Sequence, residues 1–228
     1  MTLAARYGRE GGAPARPAFE VVIGAIVTQN DPTVNARAVV ASLRQAGVAT
    51  TAGLAALPPA RLRAWLRPLG PRARSPILAG QLRALAVHVE RRHAGQLRAF
   101  LARPVADLRT ALLGLPGMTP RAADTVLLEA AGRPVFVVDA VVRRALAARG
   151  LVAAGARDAE VQALLHDNLP HDPALFRSYG ALLRREDRER GGARRRSSSP
   201  SPDRRGRSLS PAGGPARRAG SRRRASRG

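Results

Sequence analysis

Apolar residues recur along this chain three and four positions apart, the period of a helix that buries one face. A first helix is expected over about residues 18 to 29, with Phe19, Val22, Ile23 and Ile26 on one side. Asp31 followed by Pro32 signals a new start, and residues 34 to 45 make a second helix ended near Gly47. Two short helices, 51 to 57 and 59 to 66, are separated at Pro58-Pro59, and residues 67 to 71 form a loop. A longer helix over about 75 to 93 turns Ile77, Leu78, Leu82, Leu85 and Val89 inward, and a short one near 96 to 102 leads to Pro104. Beyond Gly150, helices are expected over 157 to 168 and over 173 to about 188, the latter capped by Asp172. With such short connections, the pattern predicts an all-α protein of helix packed on helix.

Residues 107 to 149 say most about function. Leu108, Leu112 and Leu113 form a helical pattern that Leu115-Pro116-Gly117 breaks. Pro120 suits the first turn of the next helix, where the N–H it lacks is not needed. Ala123, Val126, Leu127 and Ala130 then recur at helical spacing, and Gly132 is placed to stop the run. Helix, glycine turn, helix: such a unit points backbone N–H groups outward beside the partial positive charge of a helix start, an arrangement suited to a phosphate. Just downstream, the apolar run PVFVV at 134 to 138 delivers Asp139 to the head of a helix over 140 to 149.

Composition narrows the picture. The 228 residues, 45% of them hydrophobic, suffice for one sizeable core or two small ones. Aromatics make up only 3%, so the core must come from Leu, Ala and Val, a mixture that favours helices over sheets. The chain has no cysteine, which excludes disulfides, thiolate zinc sites and cysteine-held iron–sulfur clusters. His88, His93, His166 and His171 lack carboxylate or cysteine partners at ligand spacing and read as surface or helix-end residues, so neither metal nor cofactor is expected. No apolar run approaches the roughly 20 residues that span a bilayer, and the first ten residues lack a secretory apolar stretch. A soluble intracellular protein with no membrane partner is expected.

The formal charge is +23, of which residues 184 to 228, with 16 Arg against 4 acidic residues, carry about +12. The body keeps about +11, enough to favour a polyanion. All 39 basic residues are arginine; there is no lysine. The Arg/Ser-rich stretch 189 to 228 cannot bury a core and is expected to be disordered, able to hold nucleic acid without sequence preference.

Two motifs carry a resemblance. Phe19-Glu20-Val21-Val22-Ile23-Gly24-Ala25-Ile26-Val27-Thr28-Gln29-Asn30, and then Leu115-Pro116-Gly117-Met118 with Ala123 and Val138-Asp139, stand in the order and spacing of the endonuclease III-like DNA glycosylases. The chain resembles this helix-hairpin-helix superfamily over about residues 6 to 185, most of all the endonuclease III-related branch that includes the 3-methyladenine glycosylases. The resemblance implies a six-helix lobe over 17 to 132 with the hairpin at 107 to 132, and a second helical lobe over 133 to 188 completed by the N-terminus. Residues 1 to 16 would be a loosely ordered lead-in, and a cleft would separate the lobes.

It also implies roles. Asp139 would be the catalytic carboxylate: breaking an N-glycosidic bond builds oxocarbenium character on the sugar, which a carboxylate stabilises while it aligns a water. From the residues alone Asp139 reads equally as a helix N-cap, and the two roles coexist. Gln29 matches the glutamine that fills the gap left by a flipped base, against the plainer reading of a polar helix end. Gly117, with the amides near Met118 and Thr119, would grip a phosphate. Thr119 replaces the hairpin's second glycine, a poor choice if that position needs positive φ. Arg121 stands where bifunctional members have a Schiff-base lysine; arginine stays charged and cannot do that chemistry, so it pairs with a phosphate or lies on a solvated face.

Other departures are plain. The second wedge loop reads Gly70-Pro71-Arg72-Ala73-Arg74-Ser75-Pro76, without the usual aromatic and asparagine. The cluster-bearing C-terminus begins as Tyr179-Gly180-Ala181-Leu182-Leu183 and then gives way to Arg and Ser. The expectation is a monomeric, monofunctional DNA glycosylase of base-excision repair, acting on duplex DNA in the cytoplasm at the nucleoid, or in the nucleus of a eukaryote. Alkylated purines, whose glycosidic bond is weak, are the first substrate class. The rivals are a non-catalytic duplex-DNA-binding protein that keeps the fold, and a degenerate copy.

Overall fold

Each stretch read as helix from its apolar spacing is helical in the computed structural model, which describes residues 16–71, 73 and 75–197, with side chains to 190. The lead-in at 1 to 15, Arg72 and Arg74 of the wedge loop, and the tail from 198 lie outside the described residues. In chain order the helices are α1 (Ala18–Asn30), α2 (Ala36–Gln45), α3 (Thr51–Ala56), α4 (Pro59–Leu66), α5 (Pro76–His93) and α6 (Leu97–Leu101). There follow α7 (Val105–Leu113), α8 (Pro120–Thr125), α9 (Ala140–Ala147), α10 (Asp158–Asn168) and α11 (Pro173–Ser197). No strand occurs among the described residues.

α1 is the axis of the larger core. Val21 through Val27 are all buried, so this helix is apolar nearly all round, as a central helix must be. It packs on α2, α5, α6 and α8. The Asp31-Pro32 step does not cap α2. Asp31, 6% exposed, accepts from the Thr33 N–H and hydroxyl and closes a turn, and Asn35 caps the helix through the N–H groups of Arg37 and Ala38. α2 therefore starts at Ala36, two residues later than its apolar spacing suggests.

Buried side chains form two clusters. The first gathers Ile23, Ile26, Leu43, Leu62, Leu82, Phe100, Leu112, Val126 and Leu127 from α1 to α8. The second joins Leu128, Phe136, Val138, Val142, Leu146, Val161, Leu165, Phe176 and Leu183. The two meet inside one helix. After Thr125, α8 widens into a π-helical turn, Val126–Ala130, so that Val126 and Leu127 face one core and Leu128 the other.

α9 and α11 are laced together by charge. Arg144 pairs with Asp187 at 2.9 Å, and Glu186, 4% exposed, pairs with Arg149 and with Arg190. α11 runs to Ser197, past its expected end near 188 and into the stretch expected to be disordered. Pairs one turn apart, Arg185–Glu189 at 3.5 Å and Arg190–Glu186 at 3.0 Å, support that continuation. The histidine reading also changes: His88 and His166 are half-buried in aromatic clusters, with Phe100 and Phe176 respectively.

Candidate active site and DNA interface

The hairpin turn begins where α7 ends. Met118 N–H donates to the Leu115 carbonyl at 3.1 Å, closing a four-residue turn with Pro116 and Gly117 at its centre. Proline presets the second position and glycine the third, where Gly117 has φ 69°. A Cβ at Gly117 would lie 2.1 Å from Gln81 Nε2, so a side chain there would push Gln81 off the hairpin as well as strain the backbone. Met118 turns its side chain into the first core.

Thr119 fits better than expected. Its φ of −84° and ψ of 153° lie in the extended region, where a β-branched residue costs nothing, and its hydroxyl caps α8 by accepting from Ala122 N–H at 3.2 Å. The same residue meets Gln29. Gln29 Oε1 accepts from the Thr119 N–H and from its hydroxyl, each at 3.0 Å. Gln81 Nε2 donates to the Gly117 carbonyl at 3.1 Å, and its Oε1 accepts from Asn30 Nδ2 at 2.6 Å and Gln29 Nε2 at 3.4 Å. The end of α1, the middle of α5 and the hairpin are thus knitted by amides.

This network changes the expected phosphate grip. The Met118 and Thr119 N–H groups are both occupied within the protein, by Leu115 and Gln29. The N–H groups of Gly117 and Arg121 take no partner among the described residues, and the Arg121 side chain is exposed.

Asp139 sits at the start of α9 with φ −135° and ψ 176°, as an N-cap should. One oxygen, Oδ1, accepts from the Val142 N–H at 2.8 Å; the other accepts from Arg184 Nε at 2.9 Å. The side chain is 15% exposed, and each oxygen keeps a second lone pair. Such a carboxylate is fixed in direction yet able to accept one more donor, such as a water.

The structure joins Gln29 to Thr119 directly and to Gly117 through Gln81. Asp139 has no hydrogen bond to any of them among the described residues; a partly buried relay links the hairpin to the segment just before Asp139. Arg109 of α7 pairs at 2.9 Å with Asp124 of α8, 6% exposed; Gln162 of α10 donates to Asp124 at 3.1 Å and to the Phe136 carbonyl at 2.7 Å. The sequence reading missed Gln81, Asp124, Gln162 and Arg184. Gln81 was findable, because it shares an inward face with Leu78, Leu82 and Leu85. Elsewhere, a groove of about 550 Å³ lies between α4 and the start of α5, bordered by Arg63, Arg67 and Ser75, and does not include Asp139.

The fold is that of the helix-hairpin-helix DNA glycosylases. A trapped endonuclease III–DNA covalent intermediate superposes with TM-score 0.61 at 19% identity, over 80% of this chain and 79% of that one. The H. pylori 3-methyladenine DNA glycosylase bound to 1,N6-ethenoadenine gives TM-score 0.61 at 19% identity, over 78% of this chain and 87% of that one. In sequence, the chain is 28% identical over 178 residues to a protein named as a candidate DNA repair glycosylase in Methanocaldococcus jannaschii, covering 78% of this chain and 80% of that protein. No protein-family model matches. The iron–sulfur cluster that the resemblance would bring does not fit this chain, which has no thiolate to hold it.

Proposed function

We propose that this protein is a DNA glycosylase of base-excision repair that binds duplex DNA as a monomer, in the compartment that holds the genome, and hydrolyses the N-glycosidic bond of a flipped, damaged base. The observation that carries this reading is the Asp139 carboxylate, mounted at a helix start with both oxygens oriented and a lone pair to spare on each. The sequence likeness to the named repair glycosylase supports it. The reaction is monofunctional: water attacks the sugar, and the abasic strand stays intact because no lysine exists to form a Schiff base. Alkylated purines are the proposed substrates, since a cationic base leaves readily and asks least of one carboxylate. Gly117 and Arg121 hold the strand through their N–H groups and the Arg121 guanidinium. Gln29 fills the gap in the duplex by exchanging its bonds with Thr119 for bonds with bases.

The test is release of the base from a lesion-bearing duplex, followed by alkaline cleavage of the abasic product, for wild type and Asp139→Asn. Base release by wild type and its loss in Asp139→Asn is the expected result; equal activity of the two removes Asp139 from the mechanism. One observation favours a second reading, of a non-catalytic duplex-DNA-binding protein: Arg184 places a positive charge on the same carboxylate that would face a cationic sugar. Normal duplex binding with every lesion left intact would establish that reading instead.

A further inference from the structure

The segment that carries Asp139 has no regular secondary structure between residues 132 and 139, so its backbone polar groups need partners from elsewhere. Helix α10 supplies them at Phe136, three residues before Asp139. The Phe136 N–H donates to His166 Nε2 at 3.0 Å, and the Phe136 carbonyl accepts from Gln162 Nε2 at 2.7 Å. Gln162 and His166 are four residues apart, so they stand one above the other on one face of α10 and close on the same residue from both sides.

The amide nitrogen of Gln162 is fully committed. It has two hydrogens, and the second acceptor is Oδ2 of the buried Asp124, whose Oδ1 is held by Arg109. Both helices of the hairpin therefore bear on the segment that presents the carboxylate. His166 is equally constrained. Nε2 accepts, so the ring must be neutral with its proton on Nδ1. The ring stacks on Phe176 of α11 at 5.4 Å and 12°, beside the His171 ring at 5.6 Å. Burial and His171 oppose its protonation, while Asp124 of α8 and Asp167 of its own helix favour it; the balance lowers its pKa.

We propose that Gln162 and His166 are positioning residues for the Asp139 reaction: they clamp the peptide groups of Phe136 and so register the Asp139 backbone against the DNA-binding hairpin. This rests on the activity proposed above. Val142 and Arg184 aim the carboxylate; the Phe136 clamp sets where it is aimed from.

The test uses the full chain and three variants. His166→Phe keeps a ring for the stack and removes the acceptor. His166→Gln places an oxygen acceptor near the position of Nε2. Gln162→Met keeps the side-chain length and removes both donors. Amide hydrogen exchange at Phe136, single-turnover base release from a lesion duplex, and Kd for that duplex are measured. In His166→Phe, the Phe136 amide is expected to exchange at least about tenfold faster and base release to slow by about tenfold, with Kd unchanged within about twofold. His166→Gln should restore both. Gln162→Met should slow base release alike without weakening binding, which keeps the inference refutable should His166→Phe not fold. Unchanged Phe136 exchange in His166→Phe, or a His166→Gln variant no better than His166→Phe, overturns the clamp while leaving the glycosylase reading standing. Absence of base release from the wild-type chain overturns the glycosylase reading itself, and with it the clamp's catalytic role.

Discussion

Gln29 and Thr119, ninety residues apart in sequence, are joined by two hydrogen bonds: one carbonyl oxygen of the glutamine takes both the N–H and the hydroxyl hydrogen of the threonine, each at 3.0 Å. The side chain proposed to enter the duplex is thus already holding the hairpin proposed to grip it. The proposed gap-filling and the observed hairpin support would compete for the same amide.

That competition has a measurable consequence. Gln29→Ala should weaken binding to a duplex carrying an abasic-site analogue by about tenfold, equivalent to about 1.4 kcal/mol, and leave binding to an intact duplex within about twofold. Fluorescence anisotropy on the two duplexes separates the roles. Equal losses on both would assign Gln29 to the hairpin alone.

Asp139 and Arg184 should separate in kind. Asp139→Asn keeps a cap for α9 but removes the charge, and is expected to slow base release by roughly 10²–10⁴-fold. Arg184→Gln removes an aiming partner that is itself 35% exposed, and should cost about 1 kcal/mol of stability with a much smaller kinetic loss. Thermal melting alongside single-turnover kinetics tests this; an Arg184 variant as slow as the Asp139 variant would place Arg184 in the chemistry.

Borohydride should trap no adduct through a side chain, because the chain has no lysine. Arg121→Lys should create a trappable adduct if position 121 faces the sugar. A gel-shifted covalent complex in that variant, absent from wild type, is the expected outcome; its absence would put Arg121 on the solvated face.

Gly117→Ala should cost about 1–3 kcal/mol, from the positive φ and from displacement of Gln81. Denaturant unfolding measures it. Because Gln81 also holds Asn30, the variant should bind duplex more weakly even where it remains folded.

Acid should destabilise the protein through two histidines. His166 has its pKa lowered below 6.5 by burial and then by His171, and His88 likewise by burial, then by His93, Arg92 and Arg103. The unfolded chain therefore takes up protons first as pH falls. The stability tied to neutral imidazoles is fully present above pH 6.5 and is lost as pH falls through the lower, folded-state values. The melting temperature should hold steady above about pH 7 and drop towards about pH 5, and His166→Gln should flatten part of that drop.

Helices were legible because burial on one face repeats at a fixed period, and the hairpin because Pro116 and Gly117 have local backbone duties. The buried polar links were not. Arg109, Asp124, Gln162 and Arg184 bind partners 15 to 45 residues away, and such pairs leave no periodic trace. Thr119 misled for another reason: its replacement of a glycine says nothing about φ, which proved to be −84°. The end of α11 was hidden by composition, since an arginine-rich stretch reads as tail until its acidic partners one turn away are counted.

The widened turn at Val126–Ala130 ties the molecule's two interiors to one piece of backbone. Three successive residues of an ordinary helix fan out over about 200°, and here the wide coil hands Leu127 to one oily interior and Leu128 to the other. Deleting a single residue there would swing everything downstream by about 100° around the axis. It would pull the rivet from both halves together, because Leu127 and Leu128 each anchor one of them.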